Sequence, residues 1–310
     1  MEFFHKKTSF SFMGTRRVWY TLSAVLMLIC FASFFTRGLN FAIDFTGGIS
    51  IEAVFPQDAN TDKIRTAVEA AGYHEPQVQT FGSTRDVTVR LQPTGESAAE
   101  LRPKFEKILG AIDPNVRITQ LEVVGPQVGD ELRYSAIVSL AVTLALIGIY
   151  IMLRFHTWRL SLGAILAVMH DPILVLGVFS VTQTPFDLAV VAAILAVIGY
   201  SLNDTVIVFD RIRENFEKNR RLASDATLDA AINQTLSRTI MTKVVTSIVV
   251  VALLLLGGSA LRGFSEALLI GIIAGTYSSI YISSAIALSC GLKAEHLFPT
   301  VRKDPIDELP

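Results

Sequence analysis

The chain has 310 residues, a net charge of −1 and a mean hydropathy of +0.48, with 51% of its residues hydrophobic. Apolar stretches of about 20 residues recur along it, long enough to cross a bilayer as helices, which excludes a soluble globular protein. The net charge says little because it is segregated: residues 37–133 hold 10 Lys and Arg against 14 Asp and Glu, and the remainder 17 against 14.

Residues 1–17 are basic, with His5, Lys6, Lys7, Arg16 and Arg17 ahead of the first span at 18–36. That span ends in Phe34, Phe35, Thr36 and Arg37 with no small-x-small cleavage site, so it reads as an uncleaved anchor. Residues 37–132 form a separate polar domain. It opens with Asp44-Phe45-Thr46-Gly47-Gly48, whose paired glycines permit positive φ or close backbone approach and read as a turn. Beyond it, Ile49–Phe55, Pro76–Phe81, Asp86–Leu91 and Arg117–Val124 alternate as strands. Thr61–Ala71 and Ser97–Ala111 read as helices, the second opened by a Ser97/Glu100 capping box. The order βαββαβ predicts a ferredoxin-like split βαβ fold. The domain holds no catalytic constellation; its one histidine, His74, reads as solvated. Such a module is expected to bind or to act as a lever.

Residues 133–290 predict five more spans, at about 134–153, 160–181, 188–209, 238–258 and 264–288. In the third span, His170-Asp171-Pro172 lies roughly 16 Å deep. Pro172 is expected to kink the helix. His170 and Asp171 read either as interface and cap hydrogen bonds or as a share in proton transfer. The fourth span carries Asn203 and Asp204 inside the apolar run. Burying that carboxylate costs at least about 2.5–3.5 kcal/mol, so Asp204 must face protein or an internal water path. It reads either as an acceptor gluing two helices or as a titrating, charge-paired group. Asp210, Arg211, Arg213 and Glu214 follow with the spacing of surface ion pairs. Segment 211–237 is expected on the cytoplasmic side, with Lys218–Leu236 as an amphipathic helix along the membrane surface through Leu222, Ala226, Ala230 and Ile232. Arg238 opens the fifth span and shares a face with Thr242 and Thr246. Its depth matches that of Asp204, and an Asp204–Arg238 pair would lessen both burial costs. The sixth span has Gly271-x-x-x-Gly275, a close-packing signal, followed by Thr276, Tyr277, Ser278 and Ser279. Cys30 and Cys290 offer neither a disulfide framework nor a metal site. No phosphate-binding Gly-rich loop is present, so an ATP-driven motor is not expected here. Basic residues flank alternate spans, through Arg154, Arg159, Lys218, Arg220, Arg221, Lys293, Arg302 and Lys303. The positive-inside rule then places both termini, with the tail 291–310, in the cytoplasm.

Asp44–Gly48 (DFTGG), Gly199–Asn215 (GYSLNDTVIVFDRIREN) and Leu261–Ser279 (LRGFSEALLIGIIAGTYSS) together resemble the SecF family of bacterial protein-export membrane subunits, within the SecD/SecF family and the RND superfamily. The resemblance covers nearly the whole chain. It implies an α-helical polytopic membrane protein of six transmembrane helices, half of an RND-type transporter, in the inner membrane. The ferredoxin-like domain would lie in the periplasm, between helices 1 and 2. It also implies a heteromer with SecD that uses the proton-motive force to promote translocation of a preprotein through the SecYEG channel. Asp204 and Arg238 match the family's proton-conducting Asp and Arg. No enzymatic activity, cofactor, metal or nucleic-acid partner is expected. Two other readings stay open: an exporter half for small molecules or lipids, and a non-transporting scaffold in which the intramembrane charges are dispensable. Coupling to protons or to sodium is likewise open.

Overall fold

The structure is a computed structural model and describes residues 8–81, 83–155 and 157–298. His5, Lys6, Lys7, Arg302 and Lys303 and most of the expected C-terminal tail lie outside the described residues. The chain divides into two compact units. One is Asn40–Ser139 together with Gln183–Leu188; the other comprises the remaining helices. The expected contiguous domain of 37–132 is therefore observed as a discontinuous one, which recruits a loop from between two membrane helices.

In the first unit, a short helix α2 (Ile43–Thr46) leads into β1 (Gly48–Val54), α3 (Thr61–Ala70), β2 (Gln77–Thr80), β3 (Asp86–Leu91), α4 (Ala98–Gly110) and β4 (Arg117–Val124). The strands order as β2-β3-β1-β4, all antiparallel, with Ile49 opposite Leu91 on one side and Val123 on the other. This is the ferredoxin-like topology that the alternation predicts. Period-two patterning puts Ile49, Ile51, Ala53, Val87, Val89 and Leu91 on one sheet face, where they meet Ile64 and Val68 of α3 and Leu101, Phe105 and Leu109 of α4. Local signals set the helix starts. The Asn60 side chain accepts from the Asp62 and Lys63 amides, and the Ser97 amide donates 2.9 Å to Glu100 Oε2. That bond holds the Glu100 carboxyl below the usual carboxylate range.

The second unit carries α1 (Arg16–Arg37), α5 (Pro126–Phe155), α6 (Trp158–Thr182), α7 (Leu188–Lys218), α8 (Ser224–Leu256), α9 (Gly258–Tyr277) and α10 (Ser283–Ser289), although α5 and α7 begin in the first. A five-residue π-helical stretch, Ser278–Ile282, joins α9 to α10. Among the described residues, six helical stretches are long and apolar enough to cross a membrane, and α9 and α10 together make the last of them. α6, α7 and this last span are the buried ones. α1, α5 and α8 leave large apolar side chains on the outside, among them Phe35, Leu153 and Leu256.

Two expectations change. Lys218–Leu236 is not a separate helix on the membrane surface: from Ser224 it is continuous with the fifth span. No Gly or Pro interrupts Ser224–Leu256, and the breakers come only at Gly257-Gly258. Its apolar face is buried in protein, with Leu228, Ala231, Ile232 and Leu236 in one core cluster with Phe12, Met13, Phe209 and Phe216. Leu222 and Ala226 are exposed instead. At the third span, α6 runs through Pro172 as one helix rather than restarting there.

The core of the sheet domain is complete within 48–124, so that fragment is expected to fold alone with a mixed α/β circular dichroism spectrum. Phe105 is fully buried, and Phe105→Ala is expected to cost about 3–5 kcal/mol, enough to unfold a domain this small in a urea titration. A disordered spectrum for the unsubstituted fragment would show that its core depends on residues 40–47 or 183–188.

Candidate functional site

α7 organises the site because its helical period turns polar groups toward several neighbours. Asp204 is 5% exposed, and Lys243 of α8, 9% exposed, brings its Nζ to 2.8 Å from Asp204 Oδ2. Among the described residues no hydroxyl or amide reaches that oxygen, so the ammonium is its partner. Tyr200, Asn203, Asp204, Thr242, Lys243 and Thr246 contribute to a cleft of about 430 Å³. Tyr200 and Asn203 stay exposed on its open side. Six residues past Asp204, both carboxylate oxygens of Asp210 accept from Nη2 of Arg154 on α5, at 2.7 and 2.8 Å.

Asp171 of α6 forms a second centre and is 0% exposed. Its Oδ2 accepts from Ser201 Oγ of α7 and, at 2.9 Å, from Ser278 Oγ at the start of the π-helical stretch. Its Oδ1 lies 3.2 Å from His170 Nδ1, and His170 Nε2 lies 2.8 Å from Ser23 Oγ of α1. Asp171 is thus no cap of a restarted helix. It is an acceptor shared by three hydrogen-bonding groups, and with His170 it joins four elements. Ser201, which donates to Asp171, precedes Asp204 by three residues, about one turn along α7.

Glycines let these elements close in. A Cβ at Gly271 would collide with Val197 of α7, and one at Gly275 would come within 3.2 Å of Ser201 Cβ and 3.4 Å of Asp171 Oδ2. In the other unit, Gly47 and Gly48 have φ of +68° and +122°, and Asp44 Oδ2 accepts from the Leu188 amide at 2.9 Å. Arg238 does not pair with Asp204. It is exposed, whereas Lys243 shares the buried face of α8 with Thr235 and Thr239, four residues apart in turn. Depth along the span suggested the right level; the rotation about the helix selects Lys243. An ionisable residue inside an apolar window is the same signal that singles out Asp204, and it marks Lys243 equally well.

Residues 104–293 match the family model described as protein export membrane protein SecD/SecF, C-terminal, and residues 32–55 match the SecD/SecF GG motif. Proteins named protein translocase subunit SecF are similar over most of the chain. The one from Haemophilus influenzae is 46% identical, over 96% of this chain and 91% of its own length. The one from Vibrio alginolyticus is also 46% identical, over 96% of both. Among solved structures, the crystal structure of SecDF, a translocon-associated membrane protein from Thermus thermophilus, matches with a TM-score of 0.82 and 37% identity over 91% of this chain. The chain spans 39% of that SecDF chain. A SecDF in a super-membrane-facing form matches with a TM-score of 0.68 and 35% identity.

Removing one member of a buried ion pair strands the other, at a cost of about 3–5 kcal/mol. Asp204→Asn and Lys243→Met are each expected to lower the thermal stability of the purified chain by that order. The double variant is expected to recover most of the loss. Additive losses would show that the two side chains do not stabilise each other.

Proposed function

Because the chain belongs to the SecD/SecF family of protein-export membrane proteins, we propose that it is the SecF-type partner of SecD. In this reading the pair draws on the proton-motive force to promote preprotein movement through the SecYEG channel. The observation that carries the reading is the Asp204–Lys243 pair, buried within the membrane helices and bordering a polar cleft. Exposed polar groups such as Asn203 are unfavourable against lipid, so that side of α7 and α8 suits contact with the helices of SecD.

In the proposed cycle a proton neutralises the Asp204 carboxylate and removes its attraction to Lys243. α7 is then released against α8, and loss of the proton restores the pair. One charge crossing 100 mV supplies about 2.3 kcal/mol. A complete two-state switch needs about 5.5 kcal/mol, so more than one proton would drive each full stroke. Arg238, exposed near the cytoplasmic end of the span, fits the outer part of such a path. Asp171, held by neutral hydroxyls and His170, fits an internal relay. Both termini are proposed to be cytoplasmic and the sheet domain extracytoplasmic, because Arg16, Arg17, Arg154, Arg159, Arg220 and Lys293 fall on one side of six spans.

Two measurements check this reading. In membrane vesicles containing SecD, the neutral double variant Asp204→Asn/Lys243→Met is expected to assemble with SecD yet lose uncoupler-sensitive export of a labelled preprotein. Asp204→Glu is expected to keep part of it. Full uncoupler-sensitive export by the double variant would make the pair structural glue. For orientation, a cysteine at Asn60 is expected to react with an impermeant maleimide in intact spheroplasts, and one at Ser224 only after lysis; reversed labelling would invert the topology.

A further inference from the structure

The Asp-Phe-Thr-Gly-Gly motif reads as a turn in the sequence, but the turn sits at a crowded junction. A Cβ on Gly47 would lie 2.8 Å from Pro126 Cα, one on Gly48 2.6 Å from the Leu91 carbonyl, and one on Gly129 2.9 Å from the Gly47 amide. The motif is therefore pressed between the end of β3 and the start of α5. The segment just before it grips the loop that leads into α7. Asn40 Nδ2 donates to the Gln183 carbonyl at 2.7 Å, the Ala42 amide donates to the Phe186 carbonyl at 2.9 Å, and the Phe186 amide donates to the Asn40 carbonyl at 2.8 Å. The Phe186 ring contacts both Phe41 and Phe45, with centroids 5.9 and 5.8 Å away. Arg90 of β3 ties this segment to the sheet by donating 2.8 Å to Asn40 Oδ1 and 3.3 Å to the Phe41 carbonyl. All of these groups belong to the sheet-domain unit.

The last member of the junction is Asp44. Leu188 is the first residue of α7, and its amide is one of the four that an α-helix leaves without an internal acceptor. Asp44 supplies that acceptor from 144 positions away in the sequence. A carboxylate also suits the positive end of a helix macrodipole. The helix it holds has no proline from Leu188 to Lys218, and it carries Asp204 roughly 24 Å further along its axis.

We propose that Asp44 is a positioning residue for coupling: it fastens the N-terminus of α7 to the sheet domain, so that axial or rotational movement of α7 reaches the domain through the Leu188 amide. Two arms of chain, the one leaving α1 and the one entering α7, thereby reach the sheet as one assembly. The glycine pair lets the motif that carries Asp44 fit between the end of β3 and the start of α5. The proposal rests on the proton-coupled reading of Asp204 for its purpose, but not for its geometry.

The test uses the full chain with SecD in vesicles and three variants. Asp44→Asn keeps an oxygen that accepts from a helix amide, and Asp44→Ala does not. Leu188→Pro removes the donor at a helix position where proline is well accommodated. By hydrogen exchange, the Leu188 amide is expected to exchange about fivefold faster in Asp44→Ala, the size of one lost cap, and at the unsubstituted rate in Asp44→Asn. Uncoupler-sensitive export is expected to fall at least about fivefold, the low end of inter-site coupling, in Asp44→Ala and in Leu188→Pro. It is expected to fall no further in the double variant and to be retained in Asp44→Asn. Unchanged exchange at Leu188 in Asp44→Ala overturns the latch, however Asp204 behaves. Faster exchange with undiminished export reduces the latch to a local cap and overturns its coupling role. Loss of export in Asp44→Asn as deep as in Asp44→Ala shows that charge, not amide acceptance, matters, and also overturns it. If the neutral Asp204→Asn/Lys243→Met variant stays uncoupler-sensitive, the proton reading fails separately, and the exchange result still decides the latch.

Discussion

A carboxylate and an ammonium placed together inside an apolar bundle constrain everything around them. Asp204 and Lys243 each lose hydration on burial, and their contact at 2.8 Å recovers it only while α7 and α8 keep their mutual rotation. A quarter turn of either helix would leave one charge facing hydrocarbon. The pair is thus a restraint on two helices, and in the proposed cycle it is also the group on which a proton would act. A purely apolar interface would hold the helices as well, but it would give a proton nothing to act on.

The remaining polar groups of the bundle are satisfied differently. At Asp171, two serine hydroxyls and the His170 imidazole carry the hydrogen bonds. Those serines reach it because Gly275 removes a side chain where α9 approaches α7, and because the π-helical stretch begins at Ser278. Wide turns of this kind often occur where a helix is adapted to a functional site. Small residues therefore serve a polar end here: they bring four elements close enough for one carboxylate to be shared.

The sheet domain meets a different constraint. Its core is formed by its own strands with α3 and α4, yet its unit includes Gln183–Leu188, the loop before α7 and that helix's first residue. Burial pushes the Arg90 guanidinium below its ordinary range, opposed by the nearby Glu52 and Asp187 carboxylates, and its donors tie Asn40 and Phe41 to the sheet. A binding module on a loose tether would not need such a junction. The coupling proposed for Asp44 does, because force is passed on only through groups that stay in contact.

The sequence by itself determined the elements and the level of the site. Hydropathy runs give the spans, and period-two alternation with Asn60 and Ser97 as helix starts gives the βαββαβ order; both are local properties of the chain. An Asp inside an apolar run marks Asp204, because leaving a carboxylate against lipid is costly enough to demand a partner before the packing is known. What only the tertiary structure decided was rotation and partnership. Arg238 and Lys243 lie on the same helix at neighbouring depths, and which of them meets Asp204 depends on how α8 is turned. That rotation is the one that buries Leu228, Ala231 and Ile232 in one cluster with Phe209 and Phe216. Asp44 shows the same limit: nothing near it in sequence reveals that its acceptor serves an amide 144 residues away, because a helix end accepts a cap from any group that folding brings within reach.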